Sequence, residues 1–224
     1  MNRIQVNSSQ IALRRAGESG PPVICLHCSS SHSGQYKPLL AELAPRYRLV
    51  APDLHGYGQS DPLPHDGQPW FVYDRAMVGA LLDQFPGEKV HLVGHSLGGV
   101  TAFFASREWP ERIASLTLIE PVLFSLLAEA GLDEVAEGYR TSSEVQGYLR
   151  LKMPERAAQY FVDFWSGKGA WAALDDGTRR YITDTVDRVA DDWTGVLVDL
   201  PEQAGISDCS AFGMPVQLIR GGAS

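Results

Sequence analysis

The feature that most constrains the fold is a serine set between glycines at residues 94–98, Gly-His-Ser-Leu-Gly. The apolar run Val90–Val93 leads directly into it, and helix-forming residues 100–106 follow it. A chain that passes from strand to helix so abruptly needs strained backbone angles at the serine and small neighbours that let strand and helix approach. The pattern predicts a sharp turn that raises the Ser96 hydroxyl above the carboxyl end of a sheet.

Short apolar runs rich in β-branched residues alternate with longer amphipathic segments in the first half of the chain. This alternation is typical of an α/β fold with a mostly parallel sheet and crossover helices. The predicted strands are Ile4–Val6, Ile11–Arg14, Val23–Leu26, Arg48–Ala51, Val90–Val93, Leu116–Ile119 and Val216–Arg220. The first two are expected to form an antiparallel hairpin at the sheet edge. The predicted helices are Gln35–Leu43, Trp70–Gln84 and Leu97–Glu108.

From Val122 to about Gly205 the alternation stops, and apolar residues recur at the three- and four-residue spacings of helices. We expect a core at residues 1–121, an inserted all-helical lid at 122–206 and an incomplete return to the core at 207–224. The predicted lid helices are Tyr139–Lys152, Pro154–Trp165 and Asp176–Ala190. The lid aromatics either pack internally or line a substrate pocket, and they are Phe161, Phe164, Trp165, Trp171 and Trp193.

The charge balance excludes some classes of partner. Acidic residues outnumber basic ones by 27 to 19, the formal net charge is -8, and no basic run can follow a phosphate backbone. No apolar stretch approaches the roughly 20 residues that cross a bilayer, and the N-terminal residues lack the pattern of a secretion signal. We therefore expect a cytoplasmic protein that binds neither nucleic acid nor membrane. No pattern in the sequence indicates an oligomeric state.

The three cysteines are an odd number, which favours a reducing compartment over a disulfide framework. Cys25 and Cys28 have the C-x-x-C spacing of redox and metal sites. Cys25 lies inside an apolar predicted strand, and the sequence has no second pair for zinc. We interpret these cysteines as structural and expect no metal.

Three sequence blocks, in this order, resemble the α/β-hydrolase superfamily. Residues 23–29, Val-Ile-Cys-Leu-His-Cys-Ser, are similar to the family's strand and His-Gly pair. Residues 52–61, Pro-Asp-Leu-His-Gly-Tyr-Gly-Gln-Ser-Asp, are similar to its D-x-R-G-x-G-x-S loop, and residues 94–98 complete the set. The resemblance covers most of residues 3–121 together with 216–220. It implies a serine-nucleophile hydrolase with a helical lid, whose last core strand and helix are not in this sequence.

The same resemblance assigns roles to individual residues. Ser96 would be the nucleophile, and the backbone N–H groups of Leu97 and Ser29 would form the oxyanion hole. Cys28 stands where the family has glycine, and residues 29–31 alternatively form a local hydrogen-bonded serine loop with no catalytic role. We interpret Asp53 as a structural hydrogen-bond acceptor rather than a catalytic acid.

A serine hydroxyl needs a base, and the base needs an acceptor that orients it. In this fold the order along the chain is serine, acid, histidine, whereas all six histidines here precede Ser96. We therefore expect the catalytic histidine beyond Ser224, and little hydrolysis by the 224 residues as written. Ser224 occupies the usual position of the acid but carries no charge. Our hypothesis for the acid is Glu120, with an acid beyond Ser224 and a base at His32 as alternatives.

The predicted chemistry is acyl transfer through a Ser96 acyl-enzyme, which requires no cofactor. The predicted substrate is a small ester, thioester, lactone or vinylogous carbon–carbon cleavage substrate. Two alternatives remain open at this point. One is a perhydrolase or acyltransferase on the same scaffold, and the other is a non-catalytic protein that keeps the pocket for ligand binding.

Overall fold

The computed structural model describes residues 2–64, 66–199 and 204–222. It divides into two compact units, residues 1–123 with 204–224, and residues 124–203. A sheet flanked by helices forms the first unit, and the described part of the second is helical. The predicted α/β class with a mostly parallel sheet is therefore confirmed.

Among the described residues, seven strands form the sheet of the first unit, in the order β1-β2-β4-β3-β5-β6-β7. Strand β1 pairs antiparallel with β2, which pairs antiparallel with β4, and the other four pairings are parallel. Each predicted strand coincides with an observed one, and all but the last extend further. The observed bounds are β1 Asn2–Val6, β2 Ser9–Ala16, β3 Pro22–Leu26, β4 Arg48–Pro52, β5 Val90–His95, β6 Ile113–Ile119 and β7 Val216–Ile219.

Strand β3 lies near the middle of the sheet, and each of its residues is buried. A parallel strand covered on both faces is apolar along its whole length, which explains the continuous Val23–Leu26 run. Strand β7 is the opposite case, because every one of its residues is exposed. It forms one edge of the described sheet, paired with β6 alone.

Before residue 124, the described part of the first unit contains the α-helices α1 Lys37–Leu43, α2 Trp70–Leu82 and α3 Leu97–Glu108. Helix α3 has the predicted bounds. Helix α1 begins two residues later than predicted, because a 3-10 turn at Ser33–Tyr36 precedes it and His32 Nδ1 accepts the Gly34 N–H at 2.9 Å to cap that turn.

The second unit contains α4 Phe124–Glu129, α5 Val135–Arg150, α6 Pro154–Ser166, α7 Ala170–Ala173 and α8 Asp176–Thr194. A short π-helical turn follows at Gly195–Asp199. The three helices predicted in this segment correspond to α5, α6 and α8, with small shifts at their ends. The short helices α4 and α7 were not predicted, since one or two turns carry too little periodicity to be recognised.

The predicted aromatics of the second unit mostly pack against one another. Trp193 is buried, and its ring centroid lies 5.9 Å from that of Phe164 and 5.8 Å from that of Trp165. Phe161 and Trp171 are also buried, whereas 47% of Trp165 is exposed. Packing is therefore the main use of these side chains. The role of this unit as a lid stays a prediction.

The chain returns to the first unit through helix α9, Ile206–Ala211, which was not predicted, and then enters β7. None of the helices in the described ranges is long and apolar enough to cross a membrane.

Candidate active site

Ser96 lies at the turn between β5 and α3 with φ 53° and ψ −115°. A non-glycine residue rarely adopts a positive φ, and such backbone strain concentrates at functional sites. The Ser96 carbonyl takes part in the first turn of α3, because it accepts the N–H of Gly99 at 2.9 Å and that of Val100 at 3.2 Å. The residue is only partly buried. The predicted strand-to-helix turn is therefore present at Ser96.

Glycines make this turn possible. A Cβ atom at Gly94 would lie 2.3 Å from the carbonyl oxygen of Gly98, and one at Gly98 would lie 2.2 Å from that of Leu26. Both distances are far below van der Waals contact. Strand β5, helix α3 and the end of β3 therefore approach so closely that no larger side chain fits at either position.

The neighbouring strands place their carboxyl ends beside this turn. Leu26 at the end of β3 pairs with Gly94, and the Ser96 N–H donates to the carbonyl of Ile119, the last residue of β6, at 2.9 Å. Glu120 follows Ile119 directly, and Leu97 is the first residue of α3. As the first helical residue, Leu97 has an N–H without an acceptor inside the helix, at the positive end of the helix dipole.

Glu120 is exposed and also has a positive φ, 44°. Its N–H donates to the carbonyl of Ile219 at 2.9 Å, and its Oε1 accepts the N–H of Gly221 at 2.8 Å. The carboxylate therefore binds the segment that follows β7. Burial lowers the pKa of His95, and the negative charge of Glu120 opposes that shift. Glu120 is thus within electrostatic range of the residue that precedes Ser96.

The loop after β3 contains the predicted oxyanion residue Ser29, which is partly buried. Its neighbour Ser30 has φ 53°, and within the described part of the chain the buried Ser30 hydroxyl has no hydrogen-bond partner. Gln35 holds this loop from the following turn, because its Oε1 accepts the Cys28 N–H at 3.4 Å. Sequence reasoning missed Gln35, since a lone glutamine carries no motif.

Asp53 is buried and directly follows β4. Its Oδ1 accepts the N–H of Ser33 at 2.7 Å, and its Oδ2 accepts that of Gln59 at 2.8 Å. A Cβ atom at Gly58 would lie 2.2 Å from the same Oδ2, so the loop wraps tightly around the carboxylate. These contacts support the interpretation of Asp53 as a structural acceptor.

His27 is completely buried and connects two loops. Its Nδ1 lies 2.8 Å from the Cys28 carbonyl, and its Nε2 accepts the Leu54 N–H at 2.8 Å. The Leu54 contact requires an unprotonated Nε2, so the proton of the neutral ring is on Nδ1. Burial lowers the pKa of His27 to about 4. His27 is therefore a neutral structural residue at neutral pH.

The sequence reasoning did not predict the partner of a second buried histidine, His55. His55 Nδ1 lies 3.1 Å from Asp74 Oδ1, and both side chains are almost inaccessible to solvent. The sequence feature that could have indicated this pair is Asp74, a carboxylate on an apolar face of α2 that also carries Trp70 and Met77. A buried carboxylate demands a partner, and His55 supplies it. The burial of the pair separates it from any dissolved substrate.

No disulfide joins any two of the three cysteines, Cys25, Cys28 and Cys209. Burial raises the pKa of the Cys25 thiol to about 12, so Cys25 has almost no reactive thiolate at neutral pH. Within residues 2–64, 66–199 and 204–222, no cluster of three His, Cys, Asp or Glu side chains is arranged to hold a metal ion. Ser224, at the position usual for the acid, lies outside the described residues.

Known proteins resemble this chain in sequence and in fold. A family model for the alpha/beta hydrolase fold matches residues 21–183. A 2-hydroxy-6-oxononadienedioate/2-hydroxy-6-oxononatrienedioate hydrolase of Comamonas testosteroni is 31% identical over 158 residues, covering 61% of this chain and 54% of the relative. An uncharacterized protein of Mycobacterium tuberculosis is 36% identical over 235 residues, covering 96% of this chain and 65% of the relative.

The crystal structure of an alpha/beta hydrolase from Sphaerobacter thermophilus covers 100% of this chain and 83% of its own, with a TM-score of 0.74 at 20% identity. That likeness concerns the fold alone. The chain spans about half the length of the Comamonas hydrolase, 54%. The family model matches most of the chain, including the strand, turn and helix around Ser96, and the chain therefore belongs to the alpha/beta hydrolase fold family.

Proposed function

We propose that this chain provides the nucleophile and oxyanion donors of a serine hydrolase, which cleaves a small acyl or vinylogous carbon–carbon substrate through a Ser96 acyl-enzyme. The observation that carries the proposal is the strained, partly exposed Ser96 at φ 53°, between glycines that tolerate no Cβ atom. Backbone strain of this kind costs on the order of 1–3 kcal/mol and is concentrated at functional sites, where the surrounding structure maintains it.

The proposed reaction has two steps. Ser96 Oγ attacks the substrate carbonyl carbon and passes its proton to the base, and the resulting oxyanion accepts hydrogen bonds from the Leu97 and Ser29 N–H groups. The bond to the leaving group breaks as that group takes the proton from the base. A water molecule then attacks the acyl carbon, releases the acid and returns a proton to Ser96. Losing one oxyanion donor typically slows such reactions about 100- to 1000-fold.

The acid and the base are separate parts of the proposal. Glu120 is the proposed acid, supported by its position one residue after Ile119, whose carbonyl accepts the Ser96 N–H. The base is expected to follow Ser96 along the chain, as in other members of the fold, and the six histidines of this sequence precede it. We therefore assign the base to none of them.

The substrate class is supported by the relatives rather than by the geometry. The Comamonas relative is named as a 2-hydroxy-6-oxononadienedioate/2-hydroxy-6-oxononatrienedioate hydrolase, and 31% identity makes a related substrate the first to test. For this chain we propose a small molecule with a ketone or ester carbonyl that Ser96 can attack.

A fluorophosphonate probe tests the proposal directly, because it labels only activated serines. The protein is purified from its host cell in its natural form and incubated with the probe. The labelled peptide is then identified by mass spectrometry. We expect labelling at Ser96, its loss in Ser96→Ala, and no change in Ser8→Ala, which alters an exposed turn serine. Absence of labelling at Ser96 would favour a ligand-binding protein. Labelling combined with faster transfer to peroxide or alcohol than to water would favour a perhydrolase or an acyltransferase.

A further inference from the structure

The side-chain amide of Gln35 bridges the loop after β3 and the last residue of β5. Gln35 Oε1 accepts the Cys28 thiol at 3.2 Å and, at a longer 3.4 Å, the Cys28 N–H. On its other side, Gln35 Nε2 lies 2.9 Å from His95 Nδ1. Cys28 precedes Ser29, and His95 precedes Ser96. One amide therefore contacts the immediate neighbours of a proposed oxyanion donor and of the proposed nucleophile.

The chemistry of these contacts allows only one arrangement of protons. A backbone N–H donates and never accepts, so the amide oxygen of Gln35 must face Cys28 and its NH₂ group must face His95. His95 Nδ1 then accepts, and the proton of the neutral imidazole is on Nε2. Burial lowers the pKa of His95, which favours this neutral ring. Gln35 thus fixes the tautomer and the orientation of His95.

We infer that Gln35 is a positioning residue that keeps the loop after β3 in register with the Ser96 turn. This inference rests on the proposed function, because the register matters only if Ser29 and Leu97 donate to one oxyanion. Oxyanion donors accelerate a reaction when they are already aimed at the developing charge, and small displacements remove much of the benefit. Among the described residues, Gln35 is a side chain that contacts both sides.

The first test compares Gln35→Met with Gln59→Met. Methionine keeps the approximate length of glutamine but neither donates nor accepts strongly, and Gln59 is an exposed residue of the loop after β4. For Gln35→Met we expect kcat and the rate of fluorophosphonate labelling to fall on the order of tenfold, with KM changed less than twofold. This decrease in rate is smaller than the decrease expected when an oxyanion donor itself is removed. Gln59→Met should match the wild type. Unchanged kcat and labelling in Gln35→Met would overturn the inference, as would a change confined to KM.

The second test measures which nitrogen of the His95 ring is protonated, and it does not depend on catalytic activity. In ¹⁵N NMR of the imidazoles at neutral pH, wild-type His95 should show a protonated Nε2 and an accepting Nδ1. Gln35→Glu places a carboxylate oxygen opposite Nδ1, so the proton should move to Nδ1. An Nδ1-protonated ring in the wild type, or the same spectrum in Gln35→Glu, would overturn the inference. If Ser96 is not labelled in the wild type while these NMR results hold, the proposed function fails and the Gln35 bridge stands as structural only.

Discussion

Gly98 and Leu26 approach so closely that a methyl group on Gly98 would lie 2.2 Å from the Leu26 carbonyl oxygen. Both belong to rigid backbone, one in α3 and the other at the end of β3, so neither can move aside cheaply. The contact places the N-terminus of α3, and with it Leu97, against the loop that contains Ser29.

Gly98→Ala should therefore destabilise the protein by more than about 2 kcal/mol, the range of severe overpacking. Gly147→Ala is the matched control, because no atom lies within 4 Å of its Cβ position and it occupies helix α5. It should stabilise by about 0.5–1 kcal/mol, since alanine favours a helix over glycine. Urea unfolding of both variants measures the difference. Equal stability of the two variants would contradict the tight packing at Gly98.

The stability of the protein should fall on acidification through the titration of His27. Its pKa is lowered by burial to about 4 in the folded state, against 6.5 for the unfolded residue. Between these two values the unfolded chain binds the extra proton, so the contribution is full above pH 6.5 and is lost as the pH falls toward 4. The loss amounts to about 3 kcal/mol.

His27→Gln separates this effect from the titration of carboxylates. The variant should be less stable than the wild type at pH 7, because it cannot reproduce both hydrogen bonds of the ring. Its free energy of unfolding should also vary less between pH 6.5 and 4. Denaturant unfolding at several pH values gives both curves. Parallel curves for variant and wild type would show that His27 does not titrate in this range.

Glu120→Gln tests the proposed acid while leaving its backbone contact in place. The glutamine oxygen can still accept the Gly221 N–H, so stability should change little. Loss of the charge should lower kcat on the order of 1000-fold, as expected when the base is no longer stabilised in its charged form. Glu18→Gln, at an exposed position, is the control. Near-normal turnover in Glu120→Gln, alongside an inactive Ser96→Ala, would place the acid elsewhere.

The cysteines should differ in their reaction with iodoacetamide. Cys209 is exposed, Cys28 is partly buried, and Cys25 is buried with its pKa raised to about 12. We expect Cys209 to react first, Cys28 more slowly, and Cys25 only after unfolding, since the thiolate is the reactive species. Mass spectrometry of the protein labelled with and without denaturant gives the order. Rapid native labelling of Cys25 would contradict its burial in β3.

Local sequence patterns were sufficient to predict the positions of the helices and strands near Ser96. Helix α3 has the predicted bounds, and every predicted strand coincides with an observed one. These predictions succeed because the periodic spacing of apolar residues and the positions of glycines determine strands, helices and turns within a few residues of the sequence. The two-turn and one-turn helices α4 and α7 were missed for the same reason, since they are too short for a period to be visible.

The sequence by itself determined the α/β class, the strand-to-helix turn and Ser96 as its strained residue, because these follow from neighbours along the chain. Only the tertiary structure decided which buried and partly buried polar groups meet. His55 finds Asp74 across 19 residues, and Gln35 finds His95 across 60. Such pairs depend on the order of strands in the sheet, and each isolated residue has no local preference for a distant partner. For the fully buried pair His55 and Asp74, burial then makes the pairing obligatory, since an unsatisfied polar group in the interior costs several kcal/mol.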